Sequence, residues 1–216
     1  DVDYFIKKFE AIPEDKWHLL RVVPNVLDFV KKFERYKDTV KETSTRLAIP
    51  FYNRAGDLTF ISLRAINDSK LRYITMELYE GFNSIYGLER HDPNRNTYVL
   101  EGPLDSLFFP NAVAAATSDL CRAVEHVNKD RTIFIPDNQP RNREILRSMH
   151  KMSKAGLSVV VWPETYQYKD INDAILGGLT IDNLLEIVNN NVYKGIRLDL
   201  EIKRFSKVKR AGLRSF

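Results

Sequence analysis

The sequence predicts an α/β protein whose larger part is a mainly parallel sheet with flanking helices, preceded by a smaller α+β subdomain. Three observations carry this. Apolar runs at 98–100, 112–115, 132–135 and 158–162 are separated by segments of helical character, and strands alternating with helices imply crossover connections and a sheet covered on both faces. The stretch 46–67 instead alternates around a turn at Asn53 to Asp57, which is the pattern of a hairpin. Ahead of it, Phe5, Ile6, Phe9 and then Val26, Leu27, Phe29, Val30 and Phe33 recur at helical spacing.

Taken in order, residues 4–42 read as mainly helical, interrupted at Pro13 and Pro24. The hairpin follows, with Gly56 supplying the positive φ of its turn, and a third short strand is expected at 71–75. The loop HDPNRN at 91–96 ends this part. The expected organisation is therefore an N-terminal subdomain at 1–96, an α/β domain at 97–190 and a basic tail at 191–216. In the α/β domain the strand 98–100 runs into Glu101, breaks at Gly102 and gives way to a helix opened by Pro103. Further helices begin near Ser118 and Asn142, the latter with Ile145, Leu146, Met149 and Met152 on one stripe over 142–155. A last helix at 181–190 is announced by Thr180 as cap and Asp182 in its first turn.

Composition narrows the function classes. The 216 residues, 44% hydrophobic and 29% charged, can bury a real core and are neither disordered nor fibrous in character. No apolar run approaches the ~20 residues of a membrane span, so no membrane partner is expected. One cysteine, Cys121, excludes an internal disulfide and a multi-cysteine zinc cluster and fits the cytoplasm. His18, His91, His126 and His150 lack metal-ligand spacing. The chain begins at Asp1 without a signal peptide and reads as a fragment or a processed chain. A net charge of +4 permits a polyanionic partner. The basic residues gather toward the end, where Lys194, Arg197, Lys203, Arg204, Lys207, Lys209, Arg210 and Arg214 face only Asp199 and Glu201. This basic arm is either a solvated terminus or a patch for nucleic acid or a partner.

Acids mark three strand ends: Glu101 and Asp105 in VLEGPLD, Asp137 in IFIPDNQP, and Asp170 and Asp173 in the loop KDINDAI. In a parallel sheet these ends share one edge, so acids distant in sequence converge. Crowded carboxylates raise one another's pKa, and a divalent cation relieves that repulsion. Oxygen-only donors select a hard ion such as Mg²⁺ or Mn²⁺, and such ions bind substrate phosphates. The pattern favours phosphoryl or nucleotidyl chemistry. Each acid also has a purely local reading: Asp137 as a turn residue, Asp173 as a helix cap.

The motifs EGPLD, PDNQ and KDIND resemble, in order, the acidic motifs of the TOPRIM domain of primases, topoisomerases and related nucleases. One departure is that Gln139 stands where the family's DxD motif has its second acid; it offers a carbonyl oxygen but no charge. The segment 46–90, with RYIT and IYGLER, is similar to the part preceding the acidic site in bacterial-type replicative primases, and most closely to primases of T-even-type bacteriophages. The resemblance covers the chain from about Arg46 to the last helix.

What the resemblance implies is a TOPRIM fold, Rossmann-like, and template-directed synthesis of RNA primers on single-stranded DNA by nucleotidyl transfer during phage DNA replication. It implies Glu101, Asp137 and Asp170 as catalytic residues, and Mg²⁺ or Mn²⁺ held by these with Asp105 and Asp173. It assigns Arg46, Arg64, Lys70, Arg72 and Tyr73 to template and nucleotide, with Lys169 near the triphosphate. Arg141 and Arg143 read as solubilising charges. Implied partners are the single-stranded DNA template, nucleoside triphosphates and a hexameric replicative helicase, in the host cytoplasm. Two other readings stand beside it: a TOPRIM nuclease, against which the 46–90 segment speaks, and a DNA- or helicase-binding module weakened in catalysis by Gln139.

Overall fold

The computed structural model describes residues 2–67, 69, 71–82 and 84–208. Two compact units divide the chain, Asp1–Ser84 and Ile85–Phe216.

The first unit begins with α1 (Val2–Glu10) and is built on a four-stranded antiparallel sheet in the order β1 (Arg21–Val23), β2 (Arg46–Tyr52), β3 (Leu58–Ala65), β4 (Tyr73–Glu77), with α2 (Val26–Val30) inserted after β1. The expected hairpin is β2–β3. Asn53 holds its turn by accepting the N–H groups of Ala55 and Asp57, each at 2.9 Å, and Gly56 adopts φ 89°. Strand β4 is the expected third strand, displaced slightly along the chain.

Residues 4–42 are less helical than their spacing implies. Helix α2 lasts five residues, short 3-10 turns occupy Glu14–Leu19 and Glu34–Tyr36, and β1 pairs with β2. A three-residue edge strand is too short to display a period, so Val22 and Val23 merged with the helical pattern. Of the apolar positions read there, Val26 and Val30 are fully buried and Phe29 and Phe33 pack against them, whereas Ile6 is exposed. Val23, Val26 and Val30 pack with Ala48, Ile61, Leu63 and Met76.

The second unit carries β5 (Thr97–Leu100), α3 (Pro103–Ser106), β6 (Ala112–Ala114), β7 (Thr132–Ile135), α4 (Arg143–Lys154), β8 (Ser158–Val160), α5 (Ile171–Leu176), α6 (Ile181–Asn190), β9 (Val192–Tyr193) and α7 (Gly195–Phe205). Its sheet runs β6-β5-β7-β8-β9, the first four strands parallel and β9 antiparallel to β8. Every residue of β5 is buried, as a strand covered on both faces requires. The helix expected from Ser118 is a 3-10 turn at Leu120–His126. Tyr86 bridges to Ala114 beside β6, which draws the second unit's start ahead of the expected boundary at 96.

The basic arm expected from residue 191 is folded through Phe205. Strand β9 extends the sheet, and α7 lies against α4 with Leu198, Ile202 and Phe205 buried. Those three stand at i, i+4 and i+7, an apolar stripe hidden among many basic residues. Residues 209–216, with Lys209, Arg210 and Arg214, lie outside the described residues.

Candidate active site

The order of the second sheet decides where a ligand can sit. The chain leaves β5 for β6 on one side and then crosses to β7 on the other, so the strand order reverses between β5 and β7. Open α/β sheets bind ligands beyond the carboxyl ends of the strands at such a point. Glu101 directly follows β5, and Asp137 stands just past β7. A crevice there is lined by Glu101, Asp105, Asp137, Trp162, Lys169 and Asp170. Four of the five acids expected as metal ligands therefore meet. Asp173, one turn into α5, is buried and does not line the crevice.

A circuit of hydrogen bonds ties the three acidic loops together. The N–H of Asp137 donates to Glu101 Oε1 at 2.8 Å. The N–H of Asn138 donates to the carbonyl of Lys169 at 2.8 Å. Asp170 caps α5 by accepting the N–H of Asp173 at 2.9 Å, and Asp105 Oδ1 accepts the N–H of Asn172 at 2.9 Å. Gly102 is required by the last arrangement, because a Cβ there would lie 2.3 Å from Asp105 Oδ2. Trp162 stacks on Tyr166 with ring centroids 4.1 Å apart and donates its Nε1–H to the carbonyl of Pro136 at 2.7 Å. The loop after β7 is thus fixed from both sides.

Electrostatics mark the same place. Burial pushes the Glu101 carboxyl up to about 7, with the charge of Asp105 adding to it and the Asp137 N–H and Lys169 opposing it. Burial also pushes Asp137 up to about 7, with the charges of Glu101 and Asp170 adding and Lys169 opposing. Two acids raised in one crevice indicate a site short of positive charge.

Gln139 behaves differently from expectation. Its Nε2 donates to Asp137 Oδ2 at 3.2 Å, while its Oε1 accepts from Asn142 Nδ2 at 3.1 Å. The amide therefore faces Asp137 with its donor, the end that a carboxylate attracts. Asn142 in turn caps α4 by accepting the N–H of Glu144.

Among the described residues no three His, Cys, Asp or Glu side chains form a ready-made metal-ligand cluster. Mutual repulsion holds carboxylates apart, and Glu101, Asp105 and Asp170 each turn an oxygen to a backbone N–H. A carboxylate has about four lone-pair sites, so one such bond does not exhaust it. An oxygen-only donor set in a crevice short of positive charge fits a hard divalent cation.

The basic residues expected for template and nucleotide divide into three cases. Arg46 is 0% exposed: its guanidinium donates to the carbonyls of Leu63 and Leu71, to Ser69 Oγ and to Glu42. It builds the first unit and has no face left for a ligand. Ser69 and Arg46 together lower the pKa of Glu42. Arg64 and Tyr73 pair across β3 and β4, with the guanidinium 5.5 Å from the ring centroid, and Tyr73 is 45% exposed. Arg72 is exposed beside them. Lys70 lies outside the described residues. In the second unit Lys169 lines the crevice, and Arg141 and Arg143 are exposed near the start of α4.

Sequence reasoning missed Asn138, Trp162 and Tyr166. Asn138 passed as part of a turn, although a fully buried asparagine between Asp137 and Gln139 reaches into the next loop.

No protein-family model matches the chain. A DNA primase of Enterobacteria phage T4 is 34% identical over 206 residues, covering 93% of this chain and 59% of that primase. The chain thus spans about three-fifths of its phage relative. Among solved structures, the Aquifex aeolicus primase with its zinc-binding and RNA polymerase domains matches with TM-score 0.64 and 18% identity over 94% of this chain and 60% of that one. A DnaG primase catalytic domain bound to ssDNA matches with TM-score 0.62 and 15% identity over 88% of this chain and 73% of that one. By sequence the chain is similar to a DNA primase of phage T4, and its fold matches that of solved primase catalytic cores.

Proposed function

We propose that this chain is the polymerase core of a primase, making short RNA primers on single-stranded DNA by nucleotidyl transfer. The observation that carries the proposal is the convergence of Glu101, Asp137 and Asp170 at the switch point of the sheet. Glu101, Asp137 and Asp170 hold Mg²⁺ or Mn²⁺, with Asp105 beside them and Asp173 supporting Asp170 through its N–H. When bound, such ions neutralise charge at the attacking and leaving oxygens of phosphoryl transfer. Lys169, at the rim of the same crevice, offers an ammonium to the triphosphate. Glu101, in the same crevice, would also be placed to take a proton from the attacking hydroxyl.

The first unit supplies Arg64, Arg72 and Tyr73 to the template, a cation-and-ring surface suited to a single strand. Its β2–β3–β4 sheet, built from the 46–90 segment, favours a primase over a TOPRIM nuclease. Template DNA and nucleoside triphosphates are the substrates, and a hexameric replicative helicase is the partner, in the host cytoplasm. No described helix is long and apolar enough to cross a membrane. Primer synthesis on single-stranded DNA tests the reading: labelled ribonucleotide enters short products with either ion, and Asp137→Asn makes none. Cleavage of the strand without ribonucleotide incorporation would point to the nuclease.

A further inference from the structure

We propose that Asn138 is the positioning residue that sets the spacing of Asp137 and Asp170, and thereby the affinity of the acidic crevice for a divalent cation. The inference rests on the cation-binding reading of that crevice and adds a residue to it. Asn138 is 0% exposed. Its Nδ2 donates to two carbonyls of the neighbouring loop, Tyr166 at 3.0 Å and Tyr168 at 2.7 Å, and its backbone N–H donates to Lys169 at 2.8 Å. Three bonds from one residue therefore bind the loop carrying Asp137 to the loop that leads into Asp170.

The chemistry of the position is demanding. Two carbonyl oxygens must be met by one short side chain with two N–H donors, which is the terminal NH₂ of asparagine. Reversing the amide would set an oxygen against both carbonyls, so the network fixes its orientation. Asn138 Oδ1 is buried without a hydrogen-bond partner. The residue thus uses both side-chain donors across the two loops and leaves its acceptor unmet. Aspartate, the same shape, would place a negative oxygen against the carbonyls. Leucine would have no donor at all.

The test measures Mn²⁺ affinity by electron paramagnetic resonance on the whole chain, without nucleotide or DNA, at a temperature where circular dichroism shows each protein folded. Partners that orient ligands from outside a metal site change affinity by about 10–100-fold, so Asn138→Ala is expected to weaken Mn²⁺ binding about tenfold or more. Asn138→Ser, with one donor, is expected to fall between Ala and the parent. Ser148→Ala, a buried change in α4 away from the crevice, is expected to leave the affinity unchanged. Folded Ala and Ser variants that bind Mn²⁺ as tightly as the parent would overturn the role of Asn138. So would an equal loss in Ser148→Ala, because it would reduce the effect to general destabilisation. If the alanine variant does not fold, the serine variant carries the same comparison at lower temperature. A parent chain that takes up no Mn²⁺ would instead overturn the cation-binding reading.

Discussion

Stability of the second unit should fall as pH rises from about 5 to 8 when divalent cations are chelated, and Asp137→Asn should remove the part of that fall carried by Asp137. In the unfolded chain Glu101 and Asp137 lose their protons near their ordinary values of 4.5 and 3.8, whereas in the folded protein both are pushed up to about 7. The folded state therefore holds more protons through this window. Stability is greatest below it, declines as pH rises toward 7, and levels off above. For Glu101 the move from 4.5 to about 7 corresponds to about 3 kcal/mol at about 1.4 kcal/mol per unit. The Asp137 shift contains the charge of Glu101, so the two acids titrate as a pair. The pair together should therefore cost more than about 3 kcal/mol by pH 8.

Urea unfolding followed by tryptophan fluorescence measures this. Replacing the half-exposed Trp17 by Phe leaves buried Trp162, which stands at the crevice, to report the second unit. Asp137→Asn keeps the shape and removes one of the repelling charges, so at pH 8 in chelator it should exceed the parent by about 2 kcal/mol. Mn²⁺ should restore the parent at pH 8 and leave the variant unaffected. A parent profile that is level or rising between pH 5 and 8, or a variant with the same slope, would refute the reasoning.

Other consequences can be measured in the same way. Arg46→Met should destabilise the first unit by about 3 kcal/mol, since two carbonyls, Ser69 and Glu42 lose their common donor; urea unfolding followed by Trp17 reads it. Leu198→Ala should cost about 2–5 kcal/mol in the second unit, because α7 is part of its core and not a free arm. Gln139→Asp should bring a second anion to Asp137, lowering stability in chelator at pH 8 by about 1 kcal/mol while tightening Mn²⁺ binding.

The strands and acids of the second unit were legible because each signal is local. Four apolar runs marked its parallel strands, and an acid directly after β5 or β7 needs only the parallel order to reach a shared edge. What hid was set by partners far along the chain. Arg46 reads as an available cation, yet its acceptors at Leu63, Ser69 and Leu71 come from β3 and the loop beyond. Asn138 reads as a turn residue because its acceptors lie 28 and 30 residues ahead. In α7 the density of Lys and Arg masked Leu198, Ile202 and Phe205, whose spacing becomes decisive only against α4. Strand β1 was lost for a different reason, being shorter than any period.

In the proposed site, acids from three loops of one sheet edge share a divalent cation. Crystals of the chain soaked in Mn²⁺ and measured at the manganese edge test it most directly. An anomalous peak is expected within about 2.0–2.3 Å of oxygens from Glu101, Asp137 and Asp170, lost in Asp137→Asn. A manganese peak elsewhere, with those three carboxylates bare in a protein that still makes primers, would contradict it.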